Sequence, residues 1–303
     1  MPAEPSAAAP RQLLVAAVPG LFVLLWSTGF VGAKFGLPYI EPLTFLFYRM
    51  CIVVLLLTPL ALLLRARWPA SWREVGHIAV AGLLIHAIYL GGVFVAIDRG
   101  MPAGIAALIV GLQPLLTAAC AGAMLGERVR AMQWLGLLIG FAGVALVIAQ
   151  RFDGAHFEGF DGVAVGFVIA SLLGISLGTL YQKRHCPHYD LVAGAIVQYS
   201  ASAVLLGLVA VATEEMRAEW TGELIFAMTW LVLVLSVGAV SLLALLIRWG
   251  AAARVASLFY LVPPVVALEA WLLFDERLSP LALLGMLVTA FGVFLVVRPQ
   301  PKR

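Results

Sequence analysis

Ten apolar runs, each about as long as a helix needs to cross a bilayer, occupy the chain almost end to end: residues 13–33, 42–64, 75–97, 103–124, 131–149, 161–181, 190–212, 224–247, 254–273 and 280–297. Crossing about 30 Å of hydrocarbon takes roughly 20 residues at about 1.5 Å each, so ten runs consume about two-thirds of the chain. The loops must be short, and no separate soluble domain fits. Membrane barrel strands would alternate apolar and polar residues over about ten positions, which these runs do not do. The fold class that follows is all-α integral membrane, with ten transmembrane helices. Composition agrees: 63% of residues are hydrophobic and 12% charged, with a mean hydropathy of +1.05, whereas soluble domains carry about 25% charged residues. A soluble globule, a disordered chain and a disulfide-stapled domain are excluded, the last because only three cysteines are present.

The runs form two sets. Shifting the chain by 149 residues, without a gap, aligns Arg99 with Arg248, Ala107 with Ala256, Pro114 with Pro263, Glu127-Arg128 with Glu276-Arg277, Gly136 with Gly285 and Gly143-Val144 with Gly292-Val293. The same shift sets Ser27, Gly29 and Lys34 on Ser176, Gly178 and Lys183. Two halves, 1–151 and 152–303, then hold five spans each, and five being odd, the second half enters the membrane from the opposite side. Inverted repeats of this kind give a carrier two equivalent access states around a site near the bilayer midplane.

Charge sets the orientation. Thirteen basic residues fall on the side holding both termini and five on the other, where the acidic stretch Glu214, Glu215, Glu219 and Glu223 also lies. The positive-inside rule therefore puts both termini in the cytoplasm. The net charge of +3 reflects this asymmetry, and no nucleic-acid partner is expected. The first run is too long for a cleaved signal peptide and is expected to remain as a helix. His185-Cys186-Pro187-His188 reads as a polar turn, and neither a metal nor a cofactor is expected.

The Trp26-Ser27-Thr28-Gly29-Phe30 segment, Arg49, the Gly111-Leu112-Gln113-Pro114-Leu115 segment and the repeated Gly126-Glu127-Arg128 and Asp275-Glu276-Arg277, in this order and within a ten-span repeat, resemble the EamA branch of the drug/metabolite transporter superfamily. The resemblance covers nearly the whole chain. It implies export of small metabolites, often amino acids, across a bacterial inner membrane, with the aromatic amino acid exporters as the nearest characterised kind.

Depth along each run selects the residues that a substrate would meet. His86 lies about 16 Å into the third run, and Tyr89 is one turn further along the same face. Gln113 in the fourth run and Tyr260 in the ninth reach a similar level, and the repeat-related Ser27 and Ser176 complete the candidate substrate-binding set. Pro114, Pro263 and Pro264 interrupt their helices and are candidate hinges. Arg49 and Glu269 are charges inside apolar runs, which marks them as functional candidates, as a pair, a gate or a receptor for a carboxylate. Glu269 is also the one candidate proton carrier, although facilitated export needs none. Gly136, Gly140 and Gly143 allow close helix packing, against the tenth run through Gly285 and Gly292 or against a second copy; internal packing and a monomer are expected.

These residues, with little net charge among them, suit a zwitterionic amino acid with an apolar or aromatic side chain. A multidrug exporter for lipophilic cations is the alternative. A sugar-phosphate or nucleotide-sugar carrier would need more buried bases than Arg49 supplies. An intramembrane enzyme would need a convergent nucleophile and base, and His86 has no acid at its level.

Overall fold

In lipid, every backbone polar group must find its partner within the protein, so apolar runs of this length close their hydrogen bonds as helices. The computed structural model describes residues 8–99, 101, 106, 109–149, 162–250, 252–274 and 280–298. The membrane helices are α1 (Ala8–Gly36), α2 (Pro42–Leu63), α3 (Trp72–Asp98), α4 (Gln113–Leu125), α5 (Ala131–Ala149), α6 (Gly162–His185), α7 (Leu191–Thr213), α8 (Gly222–Trp249), α9 (Ala252–Ser257 and Val262–Phe274) and α10 (Pro280–Val297). Five of them, α2, α3, α6, α7 and α8, are long and apolar enough to span by length and composition alone. Large apolar side chains such as Leu55, Leu63, Leu208 and Leu287 are exposed, as expected of surfaces that meet acyl chains.

The 149-residue repeat carries over to the elements. Gln113–Leu125 maps residue for residue onto Val262–Phe274, and the end of α1 at Gly36 maps onto the end of α6 at His185. Irregularities repeat too. A π-helical segment interrupts α3 at Leu83–Ile88 and α8 at Leu231–Ala239. The turn at Gly111-Leu112 before α4 corresponds to the 3-10 segment Leu258–Leu261 within α9. The fourth and ninth spans are therefore broken helices, where the apolar runs predict continuous ones. The prolines explain this. Pro114 lies in the first turn of α4, and Pro263 and Pro264 in the first turn of Val262–Phe274, positions whose missing N–H has no intrahelical acceptor to lose. They start helical segments; they do not kink continuous ones.

Packing follows the same pseudo-symmetry. α2 lies along α7 and α5 along α10, each helix against its own counterpart, while α1 packs on α8 and α9 as α6 packs on α3 and α4. Glycine makes the closest of these approaches. A Cβ on Gly136 would sit 2.7 Å from the Gly292 carbonyl oxygen, and one on Gly143 would sit 2.7 Å from that of Gly285. The small residues of the fifth span thus face the tenth span of the same chain. The junction of the two halves at 151/152 lies outside the described residues.

The connecting segments order both faces. On the face opposite the termini, the Glu214 carboxylate accepts from the backbone N–H groups of Leu43 (2.8 Å) and Thr44 (2.7 Å) and from the Thr44 hydroxyl (2.7 Å), capping the start of α2. Glu41 reciprocates by accepting from the N–H groups of Glu215 (3.2 Å) and Arg217 (3.0 Å), and Ile40 pairs with Ala218 in an antiparallel bridge.

Candidate functional site

A cavity of about 130 Å³ lies in the middle of the bundle. Its walls come from α1 (Trp26, Gly29), α2 (Arg49), α3 (Ile85, His86, Tyr89, Val93, Phe94, Ile97), the fourth span (Ala106, Val110, Gly111, Gln113), α6 (Ile175), α8 (Leu235, Val240) and α9 (Phe259, Val262, Pro263). Both π segments reach the cavity, through His86 and Leu235, which are related by the repeat and both line it. A π turn inserts an extra residue and re-aims the side chains beyond it. It also needs neighbours that let it in. A Cβ on Gly178 would sit 2.7 Å from the Ile85 side chain, and one on the repeat-related Gly29 would sit 2.8 Å from that of Leu235. Gly82, just before the first π segment, leaves only 2.5 Å between such a Cβ and the Gln198 Cα atom.

A polar network backs the cavity wall. Arg49, 3% exposed, donates from Nε to the Ser236 hydroxyl at 2.9 Å. The Tyr199 hydroxyl donates to the Ser236 carbonyl at 2.8 Å, and its ring stacks on His86 with centroids 4.5 Å apart. His86 Nε2 lies 3.3 Å from Gln198 Oε1, which requires Nε2 to carry the proton, and Gln198 donates to Gln182 Oε1 at 3.1 Å. The repeat is visible even here. Arg49 and Gln198 are counterparts on α2 and α7, and each bonds the π segment of the opposite half. Charge distinguishes them: Arg49 is the one Arg, Lys, Asp or Glu among the described residues lining the cavity.

Of the residues singled out by depth, His86, Tyr89, Gln113, Arg49 and Pro263 line this cavity together. Gln113 is 2% exposed, and neither its amide oxygen nor its nitrogen has a partner among the described residues. Tyr260 is buried beside Gly140 of α5, outside the cavity lining, and its hydroxyl has no partner among the described residues. Ser27 donates to the Val23 carbonyl at 2.7 Å, and the buried Ser176 hydroxyl has no partner among the described residues; both stand next to lining residues without joining them. Pro114 and Pro264 are buried behind the lining residues Gln113 and Pro263. Arg49 and Glu269 do not meet. Arg49 is engaged with α8, whereas Glu269 stands on α9, which packs on α1 and α5, and neither of its carboxylate oxygens has a partner among the described residues. Ser236, Tyr199, Gln198 and Gln182 were not among the residues selected from the sequence; the first three, as polar groups inside apolar runs, carry the same signal as His86, and Gln182 stands just past the end of the sixth run.

The cavity is one of three in series. Toward the face opposite the termini, it shares Leu37, Phe94 and Ile97 with an outer vestibule of about 530 Å³ that Glu41, Asp98, Glu214, Arg217 and Glu219 also line. Toward the terminal face, it shares Gln113 and Phe259 with a void of about 10 Å³, closed by Thr179, Lys183 and Ala252. That void has room for about one water. The space on the outer side of the cavity is thus far larger than the space on the terminal side.

Comparison with known proteins places this geometry. The model of the EamA-like transporter family matches the chain twice, over residues 15–149 and 162–298, once per half. The chain is 31% identical over 288 residues to the "Uncharacterized inner membrane transporter YedA" of Escherichia coli strain K12, covering 94% of this chain and 92% of that protein. It is 29% identical to the "Uncharacterized transporter YvbV" of Bacillus subtilis, over 90% of this chain and 88% of that protein. It is 26% identical to a "Probable amino-acid metabolite efflux pump" of Escherichia coli, over 91% and 92%. A crystal structure with 18% identity superposes with a TM-score of 0.76 over 92% of this chain and 95% of the other, which establishes a shared fold. Matched by the family model in both halves and carrying the ten-helix repeat that surrounds a central cavity, the chain is a multi-pass membrane protein that belongs to the EamA-like transporter family.

Proposed function

We propose that this transporter exports zwitterionic amino acids with apolar or aromatic side chains across the bacterial inner membrane, as a monomer with both termini in the cytoplasm, by alternating access of the halves 1–151 and 152–303. The observation that carries this reading is the composition of the cavity. Among the described residues its walls are apolar and aromatic, including Trp26, Phe94 and Phe259, apart from one cation, Arg49, and the polar groups of His86, Tyr89 and Gln113. Arg49 takes the substrate carboxylate, because a guanidinium held at a dry wall binds a carboxylate far more strongly than it would in water. Gln113 accepts from the ammonium group through its unpartnered amide oxygen. His86 and Tyr89 line the chamber beside them, with Ser27, Ser176 and Tyr260 supporting it from behind, and Pro114, Pro263 and Pro264 mark the hinges of the broken helices. A relative named as an amino-acid metabolite efflux pump supports the substrate class. Thirteen basic residues against five support the orientation.

The buried Glu269 carboxylate, which has no partner among the described residues, favours the second reading, a lipophilic-cation exporter, and one experiment separates the two. Purified protein in liposomes is given radiolabelled phenylalanine, leucine, lysine and aspartate, and a lipophilic cation, with and without a pH gradient. Uptake of phenylalanine and leucine, independent of the gradient, is the expected result. Transport of the cation without any amino acid would overturn the proposal, and gradient dependence abolished by Glu269→Gln would replace facilitated export with proton coupling.

A further inference from the structure

The small void on the terminal side ends at a cluster of polar groups in which each member comes from a different segment of the chain. Glu127, in the link between α4 and α5, forms an ion pair with Lys183 of α6 at 2.8 Å and accepts from the Ala252 N–H, at the start of α9, at 2.9 Å. Lys183 also donates to the Gly250 carbonyl in the link between α8 and α9. Beside them, Arg248 at the end of α8 donates to the Tyr189 carbonyl in the link between α6 and α7 and lies over the Tyr189 ring at 4.8 Å. The four segments that would have to separate to let anything pass are thus tied by one carboxylate and one ammonium group. Lys183 and Ala252 line the void on this side, with Gln113 and Phe259 on the cavity side, so the cluster stands directly across the route.

We propose that Glu127 and Lys183 form the gate that shuts the substrate route on the terminal face, and that breaking this pair accompanies opening toward that face. The proposal rests on the transporter reading but not on the identity of the substrate. Both side chains retain about a fifth of their surface, 23% for Glu127 and 21% for Lys183, so water can receive the separated charges, as a reversible gate requires and a fully buried pair would not permit. A single carboxylate that holds both an ammonium and a backbone N–H couples the α4–α5 link to α6 and α9, so the three release together. The sequence carries the same two residue types once more at the repeat-related positions Lys34 and Glu276, whose side chains lie outside the described residues. The large vestibule on the opposite face, about 530 Å³ against about 10 Å³ here, agrees with a gate closed on this side.

The test needs no substrate. In full-length protein with Cys51, Cys120 and Cys186 replaced by alanine, a reporter cysteine is placed either behind the gate (Thr179→Cys) or at the opposite entrance (Ile97→Cys). Labelling by a membrane-impermeant maleimide is followed in vesicles of known sidedness. The expected result is that Glu127→Gln or Lys183→Met raises labelling of Thr179→Cys from the terminal face by about tenfold, the ratio that corresponds to about 1.4 kcal/mol. Labelling of Ile97→Cys falls at the same time, and exchanging the two charges (Glu127→Lys with Lys183→Glu) restores protection. Unchanged labelling of Thr179→Cys overturns the proposal. So does a rise at both reporters, which is the signature of a loosened bundle.

Discussion

Replacing Arg49 by methionine should make the protein more stable and nearly unable to bind its substrate. The guanidinium is 3% exposed, its Nε has the Ser236 hydroxyl as partner, and no acidic side chain faces it among the described residues of the cavity wall. Holding a charge in such a place is unfavourable, and exchanging buried ionic groups for apolar residues of similar volume is typically neutral or stabilising by about 1–4 kcal/mol. Against that stands one lost hydrogen bond, about 1–2 kcal/mol, of which Ser236 recovers part by bonding within its own helix. The balance is about 0–3 kcal/mol in favour of Arg49→Met. Binding moves the other way, because an unpartnered carboxylate in the cavity costs about 2–5 kcal/mol, a factor of about 30 or more in affinity. The assay pairs thermal unfolding of the purified protein with phenylalanine counterflow in liposomes, using Arg49→Lys as a control that keeps the charge without the planar fork. A fall in Tm with an unchanged KM would show that Arg49 holds helices together and has no part in binding, and the reasoning would be refuted.

Three further outcomes follow from the same geometry. Gly82→Ala should lower stability by about 1–3 kcal/mol and weaken transport, because its Cβ would stand 2.5 Å from the Gln198 Cα atom and push α7 away from His86; thermal unfolding checks the first effect and counterflow the second. Glu214→Ala should cost about 1–3 kcal/mol in unfolding free energy by removing the cap from α2, and Glu214→Gln, which keeps an acceptor, should cost less. Burial pushes the Cys186 thiol up to about 11, so its reaction with a thiol reagent should be slow at pH 7–8 and still rising with pH above 10; a plateau near pH 9 would contradict this.

Much of the architecture was legible because hydrocarbon imposes a length that any apolar run reveals, and because duplication left identical residues at a fixed spacing. Depth was legible for the same reason: a constant rise per residue places His86, Tyr89 and Gln113 at one level, and they do share a cavity. Direction around the helix axis was not. Arg49 and Glu269 have matching depths, yet one points to α8 and the other stands on α9 against α1 and α5. Tyr260 has the right depth but turns toward Gly140. On α3 and α8 the π segments add a further reason. Each rotates the helix beyond it, and nothing in the sequence marks where it falls, since Leu231–Ala239 is apolar but for Ser236. The breaks at Gly111-Leu112 and Leu258–Leu261 had a signal in the prolines, which was readable as an interruption but not as the start of a new helical segment.

The most direct test of the central claim is equilibrium binding to the purified wild-type protein, by calorimetry, of phenylalanine, phenylalanine amide and phenethylamine. The three share the aromatic ring and the amine and differ in the carboxylate. A zwitterion site anchored at Arg49 predicts that phenylalanine binds and that both analogues bind at least about 30-fold more weakly. Equal or tighter binding of phenethylamine would mean that the cavity selects cations, and would contradict the account.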